Sequence, residues 1–223
     1  MPKASRPLIA SRNKPRQARS AQLVQDILEA AIRVLTREGA RRFTTVRVAE
    51  EAGVSVGSLY QYFPNKEALL FRLQADEWIE TRIIMDSIFG DARLSPPDRL
   101  RRATLTFFRS ELEEAPVRGA LDDAGALFRD APEAHELKAT AMRSVFAFME
   151  EALPSASPKE RAFAAEFVMT NMAAVAERIT KQGLSRAEVD AWAKTSAEMY
   201  CMYLENLEKA AQKKRAARAA ERS

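Results

Sequence analysis

From Thr44 to Lys66 the chain reads TTVRVAEEAGVSVGSLYQYFPNK, and its helix start and stop signals are crowded enough to leave little choice of fold. Thr44 is a good N-cap, and Val48, Ala49 and Ala52 give the segment behind it one apolar face. Gly53 then stops that helix. Ser55 is a second N-cap, opening a helix of barely two turns that runs through Phe63. Pro64 cannot continue that helix, and Asn65 can cap the next one. Upstream, Leu23, Ile27, Ala31, Val34 and Leu35 recur at spacings of three and four, an amphipathic helix closed by Gly39. The order is long helix, short helix, tight turn, short helix, which is a helix-turn-helix.

The remainder is also expected to be helical. The chain holds 7 Gly in 223 residues, is rich in Ala and has few β-branched runs, so no strand signal competes. Helices are predicted over residues 66–90, 98–114, 117–129, 133–153, 158–182 and 185–211, with Pro116, Pro132, the PSASP stretch and Gly183 as breaks. The fold class is therefore all-α. Four parts are read from the pattern: a basic disordered arm over 1–20, a helix-turn-helix domain over 21–70, a larger helical domain over 71–211, and a fraying basic tail over 212–223.

Charge is unevenly placed. Residues 1–72 carry 13 Lys and Arg against 6 Asp and Glu, whereas the rest carries 22 against 25. A basic third on a slightly acidic body suits a polyanion at one end. The aromatic residues of the second short helix agree. Leu59 and Phe63 are four apart and share an inward side, which leaves Tyr60 and Tyr62 flanking the outward side. Each offers a hydroxyl to a phosphate and a ring to a sugar or a thymine methyl. Gly57 leaves no side chain between that helix and a groove, and Ser55 lies at its positive end.

Residues 21–70 resemble the DNA-binding domain of the TetR (tetracycline repressor) family. The resemblance is carried by Thr44-Thr45, Val48-Ala49, Ala52-Gly53-Val54-Ser55, Gly57-Ser58-Leu59-Tyr60, Tyr62-Phe63 and Lys66-Glu67-Ala68-Leu69. It implies that Thr44, Ser58 and Lys66 occupy phosphate-contacting positions, with Thr45, Ser55, Gly57, Tyr60 and Tyr62 in the same surface. Val56 and Gln61 stand where many members carry Lys and His, which implies a different operator; Val56 can read a thymine methyl, and Gln61 an adenine edge or a phosphate. Arg47 replaces the Glu of a capping box and is either a DNA contact or a solvated charge. Arg16 and Arg19 precede the first helix and can clamp the backbone or reach a minor groove.

The same resemblance makes 71–211 an effector-binding and dimerisation domain. Independently, Val168, Val175 and Ile179 on one helix and Trp192, Met199, Tyr203 and Leu207 on the next give two broadly apolar helices, which a second copy can cover as a four-helix interface. Phe107, Phe108, Leu121, Leu127, Phe128, Met142, Phe146, Met149, Phe167 and Met172 can surround a pocket for a lipophilic effector, or form plain core. His135 is the only histidine, so no multi-histidine metal site is expected, and no cofactor motif is present. Cys201 sits among Met199, Tyr200, Met202 and Tyr203 and reads as a small buried hydrophobe. No signal-peptide stretch and no run of about 18 apolar residues occur, so a cytoplasmic chain with no membrane partner is expected. No phosphate loop or nucleophile elbow supports an enzyme. Two functions stand: a homodimeric, effector-released repressor on a palindromic operator, or a DNA-binding adaptor or chromosome-organising protein that answers to a protein partner.

Overall fold

The structure is a computed structural model that describes residues 18–125 and 131–220. Among these the chain is all-α: α1 Ala18–Glu38, α2 Thr45–Ala52, α3 Val56–Tyr62, α4 Lys66–Phe89, α5 Pro96–Glu113, α6 Ala115–Ala124, α7 Pro132–Ala152, α8 Pro158–Thr180 and α9 Arg186–Ala220. None of these helices is long and apolar enough to cross a membrane. Two compact units result, and they do not follow a single cut in the sequence. The first takes residues 1–79 and 116–137, the second 80–115 and 138–223. The helical domain expected over 71–211 thus gives up residues 71–79 and 116–137, the latter holding most of α6 and the start of α7, to the N-terminal unit.

In the first unit, α1 buries Ile27, Ala31, Val34 and Leu35 as its spacing calls for, with Val24, Leu28 and Ala30 beside them, while Leu23 is only partly covered. Gly39 closes it at φ 74°, with its N–H on the Leu35 carbonyl at 2.8 Å. Phe43, Val48, Ala49, Leu59 and Phe63 fill the space beside α1 and are essentially inaccessible. Leu69, Leu70 and Leu73 of α4, Leu121 of α6 and Ala134 of α7 complete the same core. Leu121, expected to line an effector pocket, is instead part of this N-terminal core. A largely buried ion pair, Arg118 to Glu77 at 2.6 Å, ties α6 to α4 within the unit.

The second unit packs α5 along α9 and α8. Small residues allow the close approach: Ala164, Ala165 and Ala176 of α8 and Ala193 and Ala197 of α9 are buried. Phe107, Phe108, Met149 and Met172 are core residues here. The helix ends are well capped. Ser95 precedes Pro96 at the start of α5, and Ser157 and Glu160 form a reciprocal capping box on α8. Across α5 and α9, Arg109 makes a two-pronged bond to Asp190, both contacts at 2.7 Å, and Arg101 does the same to Glu198 at 2.7 and 3.1 Å. Arg99 is the buried cation of this unit: it donates to the Phe89 carbonyl at 2.7 Å, pairs with Glu151 and lies over the Phe148 ring.

The C-terminal tail differs from expectation. Residues 212–220 continue α9 as regular helix instead of fraying. Ala, Lys, Arg and Gln are all strong helix formers, and the segment contains no Gly or Pro to stop it.

Candidate nucleic-acid interface

The geometry of the α2–α3 pair begins with its caps. Thr44 is extended (φ −138°, ψ 150°) and its hydroxyl accepts from the Arg47 N–H at 3.3 Å. Ser55 is extended as well and accepts from the Ser58 N–H at 3.0 Å, while the two serine hydroxyls lie 2.8 Å apart. Between them, Gly53 takes the left-handed conformation at φ 67°. The Val54 N–H then reaches the Ala49 carbonyl at 3.0 Å and the Gly53 N–H the Glu50 carbonyl at 3.2 Å, a Schellman closure that sets the sharp turn. Asn65 caps α4, its side chain accepting from the Ala68 N–H at 2.7 Å.

Leu59 and Phe63 anchor α3 in the core, so its other side is turned out. Gly57, Tyr60 and Gln61 are exposed there, with Val56 and Ser58 half-buried beside them. Tyr60 is 40% exposed, yet its hydroxyl is held 3.1 Å from Thr45 Oγ1 of α2. Thr45 itself is nearly buried. It cannot be a contact of the kind expected from sequence; it positions Tyr60. Tyr62 is also less outward than expected. It sits three residues beyond Leu59 and one before Phe63, and so packs partly against the core.

Gly57 is informative because the protein does not require it. Its φ is ordinary, and a Cβ there would meet only the Ser55 hydroxyl at 3.7 Å. Within the chain there is room for a side chain.

The charges sort into two groups. Arg47 pairs with Glu38 at the end of α1, beside Arg33 and Arg37, which both hold Glu51 at 3.0 and 2.9 Å. Those guanidinium bonds, Arg37 first, keep the Glu51 carboxyl below the usual carboxylate range. This network braces α1 against α2, and it occupies Arg47. In contrast, Arg19, Arg41, Arg42 and Lys66 form no ion pair among the described residues. Arg41 and Arg42 are exposed in the turn before Thr44, a placement the sequence reading passed over. Two adjacent arginines shortly before the Thr44 N-cap are the available signal. Arg16 lies outside the described residues.

In the second unit the expected interface and pocket residues are redistributed. Val168 and Ile179 are buried in the unit's own core and cannot face a partner; Val175, Tyr203 and Leu207 are partly covered by the same core. Trp192 and Met199 are about half exposed. Phe167, expected in a pocket, lies on the surface instead, where its ring stands between Phe163 at 6.2 Å and Tyr203 at 5.0 Å. Met202 is also 58% exposed. Phe107, Phe108, Met149 and Met172 are close-packed with Met142 against them, Phe146 is exposed, and Leu127 and Phe128 lie outside the described residues. A cavity of about 340 Å³ opens elsewhere, walled by Pro96, Leu100, Phe148, Cys201, Leu204 and Glu208 among others. Cys201 lines it, and burial pushes its thiol pKa up.

A helix-turn-helix built this way, joined to a second all-helical unit, is an arrangement that DNA-binding regulators use. The comparisons agree. The sequence model described as "Bacterial regulatory proteins, tetR family" matches residues 27–73, and that of the "Tetracyclin repressor-like, C-terminal domain" matches residues 95–207. The chain belongs to the TetR family of transcriptional regulators. The fatty acid degradation regulator FadR from Bacillus halodurans is similar in fold, with a TM-score of 0.64 at 15% identity over 84% of this chain and 97% of that one. FadR from Bacillus subtilis in complex with stearoyl-CoA gives 0.61 at 14% identity, over 80% and 97%. The nucleoid occlusion factor SlmA of Actinobacillus pleuropneumoniae is 47% identical over 55 residues, which is 22% of this chain and 27% of that protein.

Proposed function

We infer that this regulator is a repressor. It binds a palindromic operator as a homodimer, through Thr44, Ser55 to Ser58, Tyr60 to Tyr62 and Lys66, and a lipophilic small molecule releases it. The observation that carries the DNA surface is the open flank of α3. Leu59 and Phe63 lock the helix from behind, while Gly57 is free of steric duty inside the protein and Tyr60 is braced for an outward partner. A helix held that way can enter a major groove, with Arg41, Arg42 and Lys66, which form no ion pair among the described residues, left to meet phosphates.

The exposed Trp192, Met199 and Met202 of α9 and Phe163 and Phe167 of α8 support a homodimer, since a second copy could cover these large apolar side chains. Two α3 helices about 34 Å apart would then read two half-sites. The stearoyl-CoA complex of the similarly folded FadR supports a lipophilic effector, and the interior around Phe107, Met142 and Met172 is rich in the adaptable side chains that such a ligand would pack against. Effector binding favours the conformer whose heads no longer fit paired half-sites. The chromosome-organising alternative draws only on the 55-residue likeness to SlmA, which leaves most of both proteins unmatched.

The test is a genome-wide binding selection followed by titration of the selected duplex with wild type, Tyr60→Ala, Lys66→Ala and Trp192→Glu. Loss of affinity in the first two, and in Trp192→Glu a loss of both dimer and affinity, is the expected result. Wild-type binding by both Tyr60→Ala and Lys66→Ala would remove the α3 surface from the function. Release by long-chain acyl thioesters, but not by the short-chain compounds, is expected of the effector site.

A further inference from the structure

The last turns of α9 are unlike the rest of that helix. From Arg186 to Lys209 its charges are mixed, three cations against five acids, and they pair locally or across to α5, as Lys209 does with Glu205 and Asp190 with Arg109. Beyond Ala211, the last buried residue, the pattern changes to one sign. Residues 212–220 hold Lys213, Lys214, Arg215 and Arg218 and no acid, and every residue of this stretch is exposed. Of these four cations, Lys214 alone forms an ion pair among the described residues, to Glu160 at 3.0 Å. At about 100° per residue, Lys214, Arg215 and Arg218 share one side of the helix.

A helix C-terminus favours cations, but that effect reaches only about one turn. It accounts for Arg218 and not for Lys213 and Arg215, which lie further back and repel their neighbours. Such a helix gains from a polyanion. The remaining residues of the stretch are Ala and Gln, so it has no large apolar side chain to sink into a bilayer. That chemistry fits the regular phosphates of a duplex and not a membrane surface.

We propose that the C-terminal extension of α9 is a second, sequence-independent contact for the DNA phosphate backbone, separate from the α2–α3 surface. It rests on the chain being a DNA-binding regulator, but not on any particular operator. The extension raises general affinity for DNA and can hold a duplex segment other than the operator.

The experiment compares the full chain with the triple variant Lys213→Gln, Arg215→Gln, Arg218→Gln. Glutamine keeps helix propensity, and the Lys214 to Glu160 pair is left in place; helix content by circular dichroism verifies the fold. Affinity for a random-sequence duplex is followed from about 50 to 200 mM salt. Each lost phosphate contact lowers the slope of log affinity on log salt by about 0.9, and Arg215 and Arg218 share one side of the helix while Lys213 does not, so a slope shallower by roughly 2 is expected. Equal slopes in the two proteins overturn the proposal, as does a charge effect seen only on vesicles of anionic phospholipid. If neither protein bound DNA at all, the DNA-binding reading and this proposal would fall together. Binding by both with one slope would remove the tail contact alone.

Discussion

Thr45 Oγ1 lies 3.1 Å from Tyr60 Oη, so the first residue of α2 holds the side chain that α3 turns outward. The bond joins the two short helices. Thr45→Val keeps the side-chain shape and removes the bond. Tyr60 is 40% exposed and water can replace the lost partner, so global stability should change by less than about 1 kcal/mol. Operator affinity should nevertheless fall several-fold, and Tyr60→Phe should fall with it. The double variant should lose no more than either single one, a non-additivity that fluorescence anisotropy with a double-mutant cycle would detect.

Gly57→Ala separates folding from recognition. The added Cβ meets only the Ser55 hydroxyl at 3.7 Å, and Ala is the better helix former. Urea unfolding should show a gain of about 0.5–1 kcal/mol. Binding to the selected operator should weaken, because the methyl group lies between α3 and the groove. A variant more stable and equally tight would show that nothing approaches this helix closely.

Acid stability should depend on Glu160. The Ser157 N–H, then Lys214 and the Ser157 hydroxyl, hold its carboxyl at about 2 instead of 4.5. A folded-state value below the unfolded one stabilises the fold above the unfolded value, and that contribution disappears as pH falls from 4.5 toward 2. Glu160→Gln should therefore flatten the decline in stability over that window, measured by chemical unfolding at stepped pH. Asp91, held at about 2 mainly by Arg93, works in the same window and should leave a residual slope in the variant.

Arg99 is buried with its charge matched by one partly exposed carboxylate, Glu151, and with the Phe89 carbonyl as a second partner. Arg99→Met should cost about 1–3 kcal/mol, since the carbonyl loses its donor while Glu151 regains water. Glu151→Ala should cost at least as much, because it leaves a buried guanidinium without its counter-charge. Equilibrium unfolding of the two variants gives the order directly.

The N-terminal helices were legible because each is bounded by a strong local signal. Thr44, Gly53, Ser55 and Asn65 act on backbone groups a few residues away, and the structure uses all four as the sequence implies. The partners of the same residues were less so. Nothing local shows that Thr45 faces Tyr60 or that Arg47 pairs with Glu38, because those contacts depend on how α1, α2 and α3 cross. In the C-terminal unit, helices α8 and α9 carry apolar residues around much of their circumference. Periodicity therefore could not separate Val168 and Ile179, which face inward, from Phe167 and Trp192, which do not. The tail was misjudged for a different reason: its charge suggested fraying, while its alanines favour helix.

The N-terminal unit is not a segment that can be cut from the gene. Leu121 and Ala134 belong to its core, and Arg118 is the partner of its Glu77, though all three are encoded beyond the first stretch of the other unit. A fragment ending at Ile79 would carry every residue of the proposed DNA surface and still leave the apolar side of Leu69 to Leu73 open to water. Such a head would be aggregation-prone when expressed alone, and grafting it onto another regulator would require α6 to travel with it.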